Sequence, residues 1–308
     1  MTTPHYFKAY WMLTNRCNLD CTYCVLEDSP AQLRQELPLD EKLKLIEHMY
    51  HRLNIRRITL SGGEVTLIGR HPPMEFIKLL EYLKKFKSRD PQANLEVEMY
   101  TNGTFLNPEV ADAMQEVVDE VAVTIDAISP TLLKTLGRSP KHGPDYYAIA
   151  LRACHLIASR GITLKLHSVV SRFNFRTLSD EAKAILADLA AQGALPRKWK
   201  LYQYMSYDDR PRDELHAVTA AEYRLFRQKF GEALQGSPVA LHFKDNDEMR
   251  ASLFNVLSYG NAQYMAPGDT WTSSKRTQHL LAYPDMPTLL DAHGIPVAEF
   301  TRFHGLHR

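Results

Sequence analysis

This sequence of 308 residues has little net charge, few cysteines and no long apolar segment. Its 37 Lys and Arg residues balance 36 Asp and Glu residues, so the formal charge of +1 gives no sign of general nucleic-acid binding. No apolar run is long enough to cross a bilayer, and residues 1–6 lack the regions of a signal peptide. We therefore expect a cytoplasmic protein that binds neither a membrane nor a nucleic-acid polymer.

Low-complexity segments, long flexible linkers and internal repeats beyond a strand–helix unit are also lacking. These absences exclude fibrous, disordered and solenoid architectures. A chain of 308 residues with 44% hydrophobic content can bury a full core. We expect one large domain with an appended tail.

Only four cysteines are present, and three of them fall within eight residues. Cys17, Cys21 and Cys24 form the pattern C-x3-C-x2-C. Thiolates are soft ligands, and three held this closely can bind iron or zinc without a distant part of the fold. At this cysteine content such a cluster arises by chance in roughly one sequence per thousand or fewer. Three thiolates that must stay reduced also argue against an oxidising compartment.

The cysteine cluster lacks a fourth metal ligand. Structural zinc and electron-transfer iron–sulfur sites are usually closed by four protein ligands, whereas a catalytic metal keeps one position open. Cys154 lies far along the chain in an amphipathic helical pattern, which indicates a small buried residue. The sequence therefore predicts three thiolate ligands and one open iron. A non-catalytic iron–sulfur or zinc module is the alternative.

Short β-branched or aromatic runs alternate with helical patterns over the first two thirds of the chain. Strands are predicted at 7–13, 57–60, 95–100, 121–125, 163–170 and 199–204. Six strand–helix units predict an α/β fold with parallel strands, a partial (β/α)6 TIM barrel. Residues 1–205 would form this barrel. Residues 206–308 would form a C-terminal helical and loop extension that closes the barrel and covers the substrate pocket.

Polar and glycine residues follow the predicted strands at the edge where barrel chemistry is expected. Gly62 and Gly63 follow the second strand, Asn102 the third and Asp126 the fourth. Paired glycines let the backbone approach a ligand closely, although a plain tight turn is equally consistent with them. Asn102 and Asp126 are also ordinary turn and loop-capping residues.

The cysteine spacing resembles that of the radical S-adenosylmethionine (SAM) enzymes, which place an aromatic residue, here Tyr23, before the last cysteine. The resemblance implies that Cys17, Cys21 and Cys24 hold a [4Fe–4S] cluster and that SAM chelates the fourth iron. One electron, supplied by a flavodoxin- or ferredoxin-type donor, would then cleave SAM to methionine and a 5′-deoxyadenosyl radical. That radical would remove a hydrogen from the substrate.

The same resemblance implies a set of SAM contacts. The Gly62-Gly63-Glu64 segment matches the family motif that binds the SAM amino group, although Val65 stands where the family has proline. Asn102, Thr124 and Asp126 fall at strand ends from which the family contacts the SAM ribose and carboxylate.

A narrower resemblance involves the second half of the chain. The segments 165–174, 199–203 and 246–252, with Tyr259, are similar in order and spacing to segments of viperin and its prokaryotic relatives. Those enzymes abstract the ribose 4′ hydrogen of a nucleoside triphosphate and release the 3′ hydroxyl as water, giving a 3′-deoxy-3′,4′-didehydro nucleotide. The resemblance implies the same lyase reaction on a phosphorylated substrate and, by analogy alone, a role in antiviral defence. It names no catalytic side chain.

Basic residues of this chain fall where viperin-like enzymes contact their substrate: Arg57, Arg138, Lys165, Lys200 and Arg302. A triphosphate needs several cations that converge on one cavity. Lys165 and Lys200 lie within apolar strands, where an unpaired charge that faces the barrel is costly. Either lysine could instead point to solvent with its stem on apolar surface.

Two residues depart from the viperin pattern at positions that face the substrate. Tyr10 and His167 stand where viperins carry asparagine. A phenol and an imidazole change shape and hydrogen bonding, which indicates another nucleobase or a substrate that is not a nucleoside triphosphate. His167 is equally consistent with a satisfied core histidine. A sugar, nucleotide sugar or peptide is therefore the alternative substrate, although this chain lacks the cysteine-rich C-terminal domain of many peptide-modifying relatives.

Overall fold

The computed structural model describes residues 5–24, 26, 35–140, 145–206, 211–249, 253–269 and 273–306. The strands in these ranges are β1 (Tyr6–Thr14), β2 (Ile55–Gly62), β3 (Glu96–Thr101), β4 (Glu120–Thr124), β5 (Thr163–Val170), β6 (Lys198–Gln203), β7 (Ala240–Lys244), β8 (Leu253–Val256), β9 (Asn261–Met265), β10 (Lys275–His279) and β11 (Gly305–Leu306). The α-helices are α1 (Leu39–His51), α2 (Met74–Leu83), α3 (Pro108–Met114), α4 (Pro130–Thr135), α5 (Tyr146–Ala158), α6 (Leu178–Ala191), α7 (Pro211–His216), α8 (Ala220–Ala233), α9 (Asn246–Met249), α10 (Met286–Ala292) and α11 (Val297–His304).

Six neighbouring parallel strands form the centre of the sheet. Strands β1 to β6 pair in sequence order, and at least one helix lies between each strand and the next. The full order is β10-β9-β8-β1-β2-β3-β4-β5-β6-β7, with β11 paired to β1. This arrangement confirms the predicted α/β fold with a partial (β/α)6 barrel. No helix in the described ranges is long and apolar enough to span a bilayer.

The two faces of the central strands differ in polarity because successive side chains point to opposite sides of a strand. One face packs against the helices and is apolar, as at Trp11, Leu60 and Leu201. The other face carries charged and phenolic side chains that contact one another across strands, such as Lys165 with Glu98. This inner face lines the interior of the barrel.

The residues after 205 add strands to both edges of the sheet. Strand β7 pairs with β6 in parallel, β8 pairs with β1 in parallel, and β8 to β10 form an antiparallel ribbon. The sequence interpretation missed these strands because each has at most five residues, and every side chain of β10 is polar. The division of the chain at residue 205 stays a prediction.

Phe230 is expected to carry much of the packing of α8 on the sheet. Its ring is fully buried and meets Trp199 of β6 edge-on at 5.0 Å. Phe230→Ala should lower the free energy of unfolding by about 3–5 kcal/mol because it leaves a cavity. Leu225→Ala on the same helix, where the side chain is 50% exposed, should change it by less than about 0.5 kcal/mol. Urea titration of both variants tests this, and equal losses would contradict the packing.

Candidate active site

The loop after β1 presents three thiols around one cavity. Cys17, Cys21 and Cys24 line a space of about 290 Å³, together with Gly63 from the turn after β2. Within the described ranges, no three His, Cys, Asp or Glu side chains lie close enough to hold a single metal ion. Thiols spread around a cavity fit a cluster better, because each cysteine of a [4Fe–4S] cluster binds a different iron.

Two glycines allow the turn after β2 to pack directly on the cysteine loop. The Gly63 amide donates to the Thr14 carbonyl at 2.8 Å, and the Glu64 amide donates to the Arg16 carbonyl at 2.8 Å. A Cβ on Gly62 would lie 2.2 Å from the Thr14 oxygen, and one on Gly63 would lie 2.2 Å from the Arg16 oxygen. Both glycines are thus required by backbone contacts with the loop, independently of any ligand.

Glu64 is fully buried and joins the ends of β2 and β3. Its carboxylate accepts hydrogen bonds from the Thr101 hydroxyl at 2.8 Å and the Asn102 amide at 2.7 Å. Burial raises the pKa of this carboxyl, and these hydrogen bonds oppose the rise. The Asn102 side chain in turn lies with Nδ2 3.6 Å from Cys17 Sγ. Glu64 therefore positions Asn102 beside the cysteine loop.

A second polar group links the end of β4 to the cysteine loop. The Tyr23 hydroxyl donates to Asp126 and accepts from Arg138, whose Nε lies 3.4 Å from the Asp126 carboxylate. Burial raises the pKa of Asp126, and Arg138 opposes this. The Thr124 carbonyl accepts from the Tyr146 hydroxyl at 2.9 Å, and Arg138 donates to the same hydroxyl. Arg138 therefore lies at the cysteine loop and not among the inner lysines.

Ion pairs neutralise two of the expected substrate cations. Lys165 is fully buried inside the barrel and contacts Glu98 at 3.1 Å and Glu120 at 2.7 Å. Arg57 bonds to Glu96 through two of its nitrogens. A buried charge is tolerated when it is paired in this way.

Aromatic side chains line the interior of the barrel near His167, two residues after Lys165 on β5. His167 lies between Tyr100, at 4.6 Å between ring centres, and Tyr202, at 5.1 Å. Its Nε2 is 3.5 Å from the Tyr202 hydroxyl, and Tyr10 packs on Tyr100 at 6.3 Å. Burial, followed by the charge of Lys165, holds the pKa of His167 well below its ordinary value, so the ring is neutral at pH 7.

Three lysines on the inner face have weak pairing or none; we call Lys8, Lys200 and Lys244 the open lysines. Lys8 and Lys200 have no ion pair with any described residue, and Lys244 only approaches Glu248 at 3.9 Å. Burial, followed by Lys165, lowers the pKa of Lys200 to about 8. Burial and then Arg57 lower the pKa of Lys8, with a further contribution from Lys244. Neighbouring cations that lower the pKa values of one another in this way favour the binding of an anionic ligand.

Sequence reasoning missed several of these inner residues. Glu98, Glu120, Lys8 and Lys244 were not among the candidates, although polar residues at every second position of β3 and β6 signal one inward face. Arg302, which was a candidate, is exposed on α11, and its guanidinium lies 5.3 Å from the Phe303 ring. The structure does not bring Arg302 together with the open lysines.

A family profile described as the Radical SAM superfamily matches residues 11–187. The chain therefore belongs to the radical SAM superfamily. Membership implies a [4Fe–4S] cluster and SAM as cofactors, as the sequence predicted, and the three thiols around one cavity fit such a cluster.

Known relatives cover different shares of the chain. A GTP 3′,8-cyclase from Parasynechococcus marenigrum (strain WH8102) is 30% identical over 222 residues, which are 68% of this chain and 60% of the relative. The antilisterial bacteriocin subtilosin biosynthesis protein AlbA of Bacillus subtilis (strain 168) is 26% identical over 276 residues, 88% of this chain and 52% of AlbA. The chain thus spans little more than half the length of these relatives.

Solved structures share the fold. Native anSMEcpe with bound AdoMet superposes with a TM-score of 0.66 at 16% identity, over 92% of this chain and 80% of that one. Streptococcus suis SuiB bound to S-adenosylmethionine gives a TM-score of 0.64 at 10% identity, over 94% and 68%. At such low identity these likenesses show the fold alone.

Gly63→Ala should prevent normal cluster assembly. The new Cβ would meet the Arg16 carbonyl, so the cysteine loop must shift and most of the iron should be lost. Gly231→Ala in α8, where a Cβ meets nothing within 4 Å, is the matched control and should keep full iron content. Iron and sulfide per chain after anaerobic reconstitution provide the measurement. Equal iron in the two variants would contradict the packing of the turn on the loop.

Lys200→Met should stabilise the ligand-free protein at pH 7 by about 1–3 kcal/mol, since it removes a poorly paired buried charge. The folded-state pKa of about 8 lies below the ordinary 10.5, so the unfolded state binds more protons between these values. The free energy of unfolding of the wild type should therefore rise relative to that of the variant from pH 8 to 10.5. Above pH 10.5 the two proteins should be equally stable. Denaturant titration of both proteins across this pH range measures the two free energies of unfolding. A difference between them that does not change with pH would contradict the prediction.

Proposed function

We propose that this protein is a radical SAM enzyme that removes a hydrogen from a phosphorylated small molecule. The reaction we favour is the viperin-like dehydration of a nucleoside triphosphate. The open lysines are the observation that carries this proposal, because Lys8, Lys200 and Lys244 leave positive charge on the inner face after the carboxylates there are paired. Phosphate oxygens would supply the missing anions.

The other residues have proposed roles that depend on their positions along the strands. Cys17, Cys21 and Cys24 would hold the cluster at the C-terminal edge. Tyr23, Gly62, Gly63, Glu64, Asn102, Thr124 and Asp126 would form the SAM pocket around it. Below them, Tyr10 and the neutral ring of His167 would contact the part of the substrate that reacts. The open lysines, of which Lys200 is in register with His167, would hold its phosphates, and residues 206–308 would cover the pocket.

When bound, the cluster supplies the electron that cleaves SAM to methionine and a 5′-deoxyadenosyl radical. The overall dehydration consumes one SAM, two electrons and one proton per nucleotide. It yields methionine, 5′-deoxyadenosine, one water and the 3′-deoxy-3′,4′-didehydro nucleotide. A flavodoxin- or ferredoxin-type protein would deliver the electrons. We place the reaction in the cytoplasm, where thiolates stay reduced, and a part in antiviral defence rests on the analogy with viperin alone.

Relatives with nucleotide chemistry support this proposal. The GTP 3′,8-cyclases act, by their name, on a nucleoside triphosphate, and one of them is 30% identical to 68% of this chain. The viperin-like segments of β5 and β6 contain Lys165 and Lys200, which lie on the inner face of adjacent strands. A phosphorylated nucleoside therefore agrees with both the relatives and the charge of the interior.

A peptide substrate is the second candidate. The subtilosin biosynthesis protein AlbA matches 88% of this chain, more than the cyclases do. One solved structure of SuiB contains its precursor peptide SuiA, and it covers 97% of this chain with a TM-score of 0.64. Within these 308 residues, Cys154 is fully buried in α5 and the other three cysteines belong to one loop.

The substrate class can be tested by the release of 5′-deoxyadenosine. Anaerobically reconstituted protein, reduced with dithionite and given SAM, should release it faster when the correct nucleoside triphosphate is present. The nucleotide should acquire a mass lower by one water. Lys200→Met should raise the nucleotide concentration for half-maximal release by about ten- to hundredfold, since a charged contact is worth about 1.5–3 kcal/mol.

Arg302→Met provides the matched comparison, because it removes one charge from exposed α11. We expect it to leave the half-maximal concentration within about twofold of wild type. Release that no nucleotide stimulates but a peptide does would favour the second candidate. Absence of any 5′-deoxyadenosine would favour a non-catalytic metal module.

A further inference from the structure

The segment that follows α4 lies directly against the cysteine loop. The Leu136 carbonyl accepts a hydrogen bond from the Thr22 amide at 3.1 Å. Gly137 has a φ of +70°, and a Cβ there would lie 1.9 Å from the Asp20 carbonyl oxygen. The positive φ and the lack of space for a Cβ both require glycine at this position. The close approach places the next side chain, Arg138, beside the thiols.

Arg138 is buried and makes contacts at every nitrogen. Its Nη1 lies 3.6 Å from Cys21 Sγ and 2.5 Å from the Tyr23 hydroxyl. Its Nη2 bonds to the Tyr146 hydroxyl, and Nε faces Asp126 at 3.4 Å. The Asp126 carboxylate balances the buried charge at one end of the guanidinium. The Nη1 end, which faces Cys21, is the positive end of this pair.

We propose that Arg138 is a positioning residue that sets the reduction potential of the cluster by donating from Nη1 to the sulfur of Cys21. Reduction adds one negative charge that is shared between the irons and their sulfur ligands. Hydrogen bonds and positive charge at a cysteine sulfur stabilise that reduced state, so they raise the potential. Arg138 thereby makes the cluster easier to reduce.

The donors to the Cys17 sulfur are uncharged, unlike the guanidinium at Cys21. Cys17 Sγ accepts from the Leu19 amide at 3.5 Å and lies 3.6 Å from the Asn102 side-chain amide, and both donors are neutral. The guanidinium at Cys21 is charged, and charge-assisted hydrogen bonds are the stronger class. This role concerns the cluster and does not depend on which substrate the barrel binds.

A redox titration of the reconstituted cluster, without SAM and without substrate, tests the proposal. The reduced cluster is quantified by EPR at fixed potentials in wild type, Arg138→Gln, Arg138→Lys and Lys134→Gln. At the wild-type midpoint, Arg138→Gln should lower the ratio of reduced to oxidised cluster at least tenfold, which is about 59 mV for one electron. Arg138→Lys keeps the charge but loses the guanidinium geometry, so it should lower the ratio less than Arg138→Gln does.

Lys134→Gln is the matched control, since it removes an equal charge from the exposed side of α4, four residues earlier. It should leave the ratio unchanged. A ratio for Arg138→Gln within about twofold of wild type would overturn the proposal. So would an equal shift in Lys134→Gln, because the effect would then come from general charge and not from the contact with Cys21.

The wild-type protein offers a test that does not depend on the folding of a variant. With arginine labelled by ¹⁵N in the guanidinium, pulsed EPR of the reduced cluster should show a ¹⁵N coupling. Two other arginines lie near the cysteine loop. Arg16 bonds to Glu36 and the Gly69 carbonyl, and Arg212 donates from Nη1 to the Cys24 carbonyl at 2.7 Å, so the coupling should persist in both Arg16→Gln and Arg212→Gln. Absence of the coupling in wild type, or its loss in Arg16→Gln or Arg212→Gln, would overturn the assignment to Arg138.

Discussion

Backbone contacts from two sides fix the cysteine loop at the C-terminal edge of the sheet. The turn after β2 donates from Gly63 and Glu64 to carbonyls of the loop, and Leu136 accepts from Thr22 on the other side. These contacts use main-chain atoms at distances that exclude a Cβ, so they set the position of the loop within narrow limits. The SAM pocket can be built around three thiols only because this loop has a defined place on the sheet.

The interior of the barrel contains both ion-paired and weakly paired charges. Residues early in the inner strands, such as Lys165 with Glu98 and Glu120, neutralise one another and hold the strands together. Lys200 lies one inward position further along and lacks such a partner. Burying that charge lowers stability, and natural proteins accept this loss where a ligand needs the group. This weakly paired charge is the basis of the proposal that the barrel binds a phosphorylated substrate.

Local patterns in the sequence predicted much of this arrangement. The cysteine spacing, the paired glycines and the alternation of strands with helices predicted the fold class, and the strand at 163–170 has the predicted bounds. The position of Arg138 required knowledge of how the segment after α4 packs on the loop, which no local pattern contains. The pairing of Lys165 depends on two other strands. The edge strands β7 and β10 were missed because each has only five residues, and the residues of β10 are all polar.

The central claim is that the protein leaves one iron of its cluster free for SAM. The direct measurement is pulsed ENDOR of the reduced cluster with SAM labelled by ¹⁷O in the carboxylate and ¹⁵N in the amino group. We expect strong coupling from both labels, since both groups would bind the free iron. Absence of both couplings, with a fourth protein side chain bound to that iron, would contradict it.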